Sequence, residues 1–172
     1  MSMRVLKIFL GFVGAAAASF GAAFAEVTTK APFAIIMDYE TGAVLFEKGA
    51  DTPTHPSSMS KLMTSAIVFE RLKSGQLKLT DEFPVSEKAW RMQGSKMWTR
   101  VDTKIPLGAL LDGIIVQSGN DACVVVAEGI AGSEEAFADL MTKKAREWGL
   151  ANSTFANSTG WPDDNHKMST RD

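Results

Sequence analysis

The sequence predicts an α+β domain in which an N-terminal β-hairpin, part of an antiparallel sheet, precedes a helical subdomain. Three observations carry this. Two short apolar runs, Phe33 to Asp38 and Ala43 to Lys48, flank the turn-forming Tyr39-Glu-Thr-Gly42, the pattern of a hairpin. The run from Pro56 to Phe69, PSSMSKLMTSAIVF, holds one ionisable side chain, Lys61, in fourteen residues and reads as a buried helix. From Leu107 two further apolar helical runs, LGALLDGIIVQ and DACVVVAEGIA, are separated only by Ser118-Gly119-Asn120.

Residues 1–25 are set aside first. Arg4 and Lys7 precede the apolar stretch Ile8 to Phe20, which ends in Ala23-Phe24-Ala25, a secretory signal peptide with cleavage expected after Ala25. An uncleaved anchor fits less well, because the stretch is short, rich in alanine and interrupted by Gly11 and Gly14. The remaining 147 residues, Glu26 to Asp172, suffice for one domain burying about 70% of its unfolded surface. Loss of Arg4 and Lys7 takes the formal charge from −2 to −4, and this weak acidity without a basic stripe excludes nucleic acid as a partner.

Cys123 is the single cysteine, so no intrachain disulfide forms, which suits a bacterial envelope better than a stapled secreted scaffold. In its apolar run it reads as a small buried hydrophobe. His55 and His166 lie far apart without companions at ligand spacing, so neither a metal nor another cofactor is expected. Asn152-Ser-Thr and Asn157-Ser-Thr match a glycosylation pattern but sit in a tract whose composition is that of loops.

Within the first helix, Ser58 and Lys61 are three residues apart and share a face, with Ser57, Thr64 and Ser65 extending a hydroxyl stripe. Two readings fit. In one, an N-cap serine is followed by a lysine that snorkels to solvent. In the other, burial lowers the amine's pKa, and a neutral base stands beside a nucleophile. The helix fades near Ser74 and Gly75, with glycine as the left-handed cap. Leu79 to Val85 and Met97 to Val101 read as short strands or extended segments. Trp90 and Trp98 are either core or pocket lining. Ser118-Gly119-Asn120 is either a helix–helix turn, Asn120 capping the next helix, or a polar corner of a site. A last amphipathic helix starts at Ser133, carries Glu134 and Glu135 in its first turn and Lys143, Lys144 and Arg146 toward its end, and stops at Gly149. From Leu150 the chain is polar and loop-like.

With both motifs in hand, the chain resembles the N-terminal portion of the penicillin-binding D-alanyl-D-alanine carboxypeptidases, low-molecular-weight serine peptidases of family S11 that trim bacterial peptidoglycan. The resemblance runs through ordered blocks: the hairpin around Asp38 to Gly42, PSSMSKLMTS, GSKMW, GIIVQSGNDACVVVAEGIAGS and the closing STRD. It implies an incomplete β-lactamase/transpeptidase-like domain over residues 26–172. It also implies that Ser58 is the acylated nucleophile, Lys61 the general base, Ser118 a proton relay, and Asn120 a substrate-binding residue that helps hold Lys61. The glycine of Ser-Gly-Asn points toward the carboxypeptidases, since the related class A β-lactamases and transpeptidases typically have Ser-Asp-Asn.

The implied substrate is a peptidoglycan stem peptide ending in D-Ala-D-Ala, with β-lactams as covalent inhibitors and a role in cell-wall synthesis and cell shape in the periplasm. The family's third motif, Lys-Thr-Gly, occurs nowhere in the 172 residues, nor do the strands expected around it or a C-terminal membrane-anchoring segment. Two expectations follow: a serine D,D-carboxypeptidase realised in full only if the chain continues, or a truncated, inactive penicillin-binding-like fragment whose open sheet edge invites aggregation.

Overall fold

The computed structural model describes residues 27–172, so the expected signal peptide lies outside the described residues. Strands β1 (Ala34–Met37) and β2 (Val44–Lys48) form the expected antiparallel hairpin. Its turn is closed by Asp38, whose carboxylate accepts from the Thr41 amide at 2.8 Å and the Thr41 hydroxyl at 2.6 Å, an Asx turn that lets Gly42 take a positive φ of 71°. These bonds hold the Asp38 carboxyl below its ordinary pKa.

A 3-10 turn, Ser57–Ser60, leads into α1 (Lys61–Lys73), so Ser58 and Lys61 belong to two joined elements rather than one regular helix. Gly75 follows with φ 75°, as expected. Strand β3 (Glu82–Pro84) pairs antiparallel with β4 (Lys104–Pro106) around the short helix α2 (Glu87–Arg91). Met97–Arg100 is irregular rather than a strand, because the amides of Met97 and Thr99 are taken by the Asp121 carboxylate at 3.0 and 2.9 Å and so do not join a ladder. Trp90 and Trp98 stay out of the core and line an open surface depression with Lys96.

Helices α3 (Leu107–Gln117), α4 (Asn120–Ala131) and α5 (Glu134–Glu147) complete the fold. Helix α4 is the axis. Its residues Asp121 to Ala127 are all fully buried, as its all-round apolar sequence demands. One side packs with Val68, Phe83, Leu107, Leu110 and Ile114. Ala127 joins a second cluster of Met63, Ile67, Phe137, Met141 and Phe155. Gly129 admits Phe83, whose ring would lie 2.6 Å from any Cβ there. Gly119, not Asn120, is the N-cap of α4, since the Asn120 side chain is engaged elsewhere. Helix α5 begins as expected, the Ser133 hydroxyl accepting from the Ala136 amide at 3.1 Å.

Helix α1 is less buried than its composition suggests. Met63, Ile67 and Val68 face the core, whereas Leu62 and Phe69, like Met59 in the preceding 3-10 turn, are exposed, because α3, α4 and α5 leave one side uncovered. The tract from Leu150 contains no regular helix or strand, only the isolated bridges Thr54↔Met168 and Thr154↔Lys167. Yet Ser153, Phe155, Ser158, Thr159, His166 and Met168 are buried. Side chains satisfy the backbone there in place of a ladder.

Asp121 is the polar pin of the α4 start, accepting from the Met97, Thr99 and Ala122 amides. Asp121→Ala is expected to lower the unfolding free energy by about 2 to 4 kcal/mol, since buried donors left unpaired cost about 1–3 kcal/mol each; urea titration measures it.

Candidate active site

The junction between the 3-10 turn and α1 creates the site. Ser57 takes a left-handed φ of 51°, which turns the chain so that Ser58 is exposed while Ser60 and Lys61 point inward. Lys61 is 5% exposed. Its Nζ donates to Ser58 Oγ at 3.1 Å and to the Thr159 carbonyl at 2.8 Å. This excludes the snorkelling lysine, and Ser58 makes no N-cap bond, since neither the 3-10 turn nor α1 has a side-chain cap. Burial pushes the Lys61 amine below its ordinary pKa of 10.5, with a smaller opposing effect from the Cys123 thiol. Cys123 itself is fully buried and its pKa is pushed up to about 12, chiefly by desolvation, so it is an inert thiol.

Ser118 meets this pair from the opposite side. Helix α3 ends there in a left-handed turn, φ 54° and ψ 37°, with the Gly119 amide donating back to the Gly113 carbonyl at 2.9 Å. Ser58, Lys61, Ser65, Ile114, Ile115 and Ser118 line one cleft of about 190 Å³ together with Leu62. Of the four site residues named from the sequence, three thus converge. Asn120 does not line this cleft. Its side-chain amide donates to the Gln93 carbonyl at 2.7 Å, and its backbone amide to the Ser95 carbonyl at 2.8 Å. Asn120 secures the Gln93–Ser95 loop, whose Gly94 would put a Cβ 2.9 Å from the Asn120 amide nitrogen.

Thr159 holds Lys61 in the place expected of Asn120, and reading the sequence missed it because the contact is made by a backbone carbonyl. The 157–161 turn that presents this carbonyl is organised by one side chain: Asn157 Oδ1 accepts from the amides of Thr159, Gly160 and Trp161 at 3.1, 2.8 and 3.0 Å. The turn is anchored at Ser158. Its amide and hydroxyl donate to Glu134 at 3.1 and 2.8 Å, and its carbonyl accepts from Thr64 Oγ1 at 2.7 Å. Glu134 in turn pairs with Lys88 at 3.1 Å. Loop composition around Asn157 was visible in the sequence; its partners were not. Among the described residues, no group of three His, Cys, Asp or Glu side chains is arranged to hold a metal ion.

The structure thus joins a serine hydroxyl to a buried amine at 3.1 Å, with a second serine lining the same cleft, a grouping of residue types that nucleophilic catalysis can use. The D-alanyl-D-alanine carboxypeptidase family model matches residues 20–172, and the chain belongs to that family. It is 39% identical over 147 residues to the D-alanyl-D-alanine carboxypeptidase DacF of Bacillus subtilis, covering 86% of this chain and 38% of that protein. It is 41% identical over 142 residues to DacC of Escherichia coli, covering 76% and 36%. The fold matches the crystal structure of DacD from Francisella tularensis with a TM-score of 0.83 at 38% identity, covering 86% of this chain and 36% of the other. Penicillin binding protein 5 from Haemophilus influenzae gives a TM-score of 0.82 at 35% identity, covering 86% and 44%. The chain therefore spans a little over a third of the length of these curated relatives.

The desolvated amine has a consequence for stability. Because its folded pKa is depressed, Lys61 favours folding fully only above pH 10.5, and this contribution is lost as pH falls through the lower folded value. Lys61→Met is expected to raise the thermal midpoint at neutral pH, with the gain narrowing as pH approaches 10.5. Scanning calorimetry at several pH values reads both the sign and the trend.

Proposed function

We propose that this chain carries the acylating centre of a serine-type D-Ala-D-Ala carboxypeptidase acting on peptidoglycan stem peptides. The observation that carries the reading is the 3.1 Å contact of a buried Lys61 Nζ with Ser58 Oγ. In the neutral state Lys61 accepts the Ser58 proton, and the alkoxide attacks the carbonyl of the penultimate D-Ala. Ser118, facing both across the cleft, relays that proton to the departing D-Ala amine. Water then hydrolyses the ester and releases the shortened peptide. A positioned base of this kind contributes about 10² to 10⁴ in rate, and each unit of pKa depression raises the neutral share of the amine about tenfold. Asn120, two residues from Ser118, is the substrate-binding residue of this reading, although its side-chain amide donates to the Gln93 carbonyl.

β-Lactams are the corresponding covalent inhibitors, in keeping with the name of the related penicillin binding protein 5. The leader read over residues 1–25 supports export, to the bacterial periplasm or envelope, of a catalytic domain beginning near residue 26. A second reading has its own observation behind it. The cleft wall made by Leu62 and Ile115 is 70% and 60% exposed, which favours a penicillin-binding-like fragment without turnover. An oxyanion donor missing from that side would cost about 10² to 10³ in rate.

A fluorescent penicillin decides between the two. Covalent labelling that Ser58→Ala abolishes supports the enzyme, and absence of label from the full chain supports the inactive fragment. The labelling rate is expected to rise with pH until it passes the pKa of Lys61, below 10.5, because the protonated amine cannot take the serine proton. A rate that is flat from pH 5 to 9, an interval on the order of the shifts seen for buried lysines, would contradict the role of Lys61.

A further inference from the structure

His166 takes no part in the mechanism above, yet it is 1% exposed and connects to the residue preceding the nucleophile. Its Nδ1 accepts from the Ala156 amide at 3.3 Å. That bond leaves the ring proton on Nε2, so Nε2–H donates to Ser60 Oγ at 2.7 Å. Ser60, itself fully buried, donates its hydroxyl proton onward to the Ser57 carbonyl at 3.0 Å. The chain of donors ends on the one residue of the 3-10 turn in the left-handed region, Ser57 at φ 51°.

The same carbonyl is pressed from the other side. A Cβ at Gly160 would lie 1.7 Å from Ser57 O, so the backbone at 160 seats directly against it. Ser57 is thus fixed between Gly160 and the Ser60 hydroxyl, and its ψ sets where Ser58 begins. The imidazole stands edge-on to Phe155, with ring centroids 5.4 Å apart and planes at 82°. The charged and titratable groups near it are Asp163 and His55, His55 being hydrogen-bonded to Lys167 Nζ at 2.7 Å. They share with His166 and Ser57 a cavity of about 490 Å³, which Asp164 also lines.

We infer that His166 is a positioning residue of the acylation step: as the Nε2–H tautomer it drives Ser60 to hold the Ser57 carbonyl, and so orients the Ser58 hydroxyl toward Lys61. The inference rests on the acyl-transfer reading given above. Protonation of His166 would turn Nδ1 into a donor facing the Ala156 donor, so the device operates only with a neutral ring. Burial holds the ring below its ordinary pKa of 6.5, against an upward pull from Asp163 and with a further downward push from His55.

The test compares His166→Phe, which keeps an aromatic ring but has no donor, with His166→Gln, whose amide restores an N–H near the Nε2 position without titrating. Penicillin acylation of the full chain is followed for three quantities: the first-order acylation rate constant, the non-covalent dissociation constant and the amount of protein labelled. His166→Phe is expected to lower the rate constant about 10- to 100-fold, the scale of an ångström-level misplacement, with affinity and labelled amount unchanged. His166→Gln is expected to recover most of the rate. A purely structural role would reduce the labelled amount and leave the rate constant of the folded molecules alone; that result, or equal rate losses in both variants, overturns the inference.

Failure of wild type to label at all would sink the acyl-transfer reading instead. The positional link is then decided by NMR of the unmodified chain. An Nε2–H tautomer whose titration is followed by the Ser57 and Ser58 amide shifts supports it, and an Nδ1–H tautomer or unresponsive amides refute it.

Discussion

The Lys61 side chain, held between Ser58 Oγ and the Thr159 carbonyl, is the constraint around which the cleft is organised. A lysine this deep loses most of its hydration, and two neutral oxygens do not replace it fully. Folding therefore shifts the amine toward its uncharged form, the form able to accept a proton. Two groups near the amine are also part of the core: Cys123 of α4 and Ile114 of α3, the latter lining the same cleft. Packing and chemistry here are one requirement. A better-solvated lysine here would need a looser core and would return the amine toward its ordinary pKa.

A second requirement follows, because the Thr159 carbonyl belongs to a segment without regular secondary structure. Precision there comes from side chains acting as surrogate backbone. Asn157 satisfies three amides, Glu134 takes both donors of Ser158, and Thr64 caps the Ser158 carbonyl. Each of these polar groups is buried or partly buried and paired, the condition under which low local dielectric strengthens a network instead of penalising it. Further along, Asp172 accepts from the Asn152 amide and the Ser153 hydroxyl at 2.8 and 2.7 Å, closing the tract onto itself. Arg171 bridges Asp51 and Glu47 on the hairpin side; exposed pairs of this kind add little energy but register the tract against β2.

How much of this was legible in the sequence depends on the type of signal. Helices α4 and α5 and the first hairpin were readable, because apolar periodicity, the Ser133 cap and the Asp38 to Gly42 turn are local properties. The shared face of Ser58 and Lys61 was readable as well, since residues three apart on a helix are neighbours, but the choice between a snorkelling and a buried lysine came from the fold. Met97–Arg100 was less readable. Its composition suits an extended segment, but whether such a segment joins a ladder depends on a partner, and its amides went to Asp121, 24 and 22 residues away in sequence. Asn120 shows the same limit, for its residue type suited a cap and a ligand equally until the Gln93 carbonyl took the amide. Thr159 was invisible in principle: every residue has a carbonyl, and only the tertiary fold says which one faces an amine.

The two serines that line the cleft with Lys61 and were named from the sequence each stand at a left-handed turn. Ser58 follows Ser57 at φ 51°, and Ser118 itself stands at φ 54°. A non-glycine residue in the left-handed region costs of order 1–3 kcal/mol and persists only where its surroundings over-determine it. Each has a glycine beside it that admits a close neighbour, backbone in one case and a side chain in the other. Gly160 seats against the Ser57 carbonyl, and Gly113 accepts from the Gly119 amide while leaving room for Met97, whose sulfur would lie 2.5 Å from a Cβ at 113. Relaxing either turn toward right-handed geometry would continue the neighbouring helix and swing its hydroxyl away from the amine. The strain is therefore not incidental to the cleft: it stops one helix at Ser118 and delays the start of another beyond Ser58, so that two helix ends, rather than two helix sides, bring serines to the cleft that Lys61 lines.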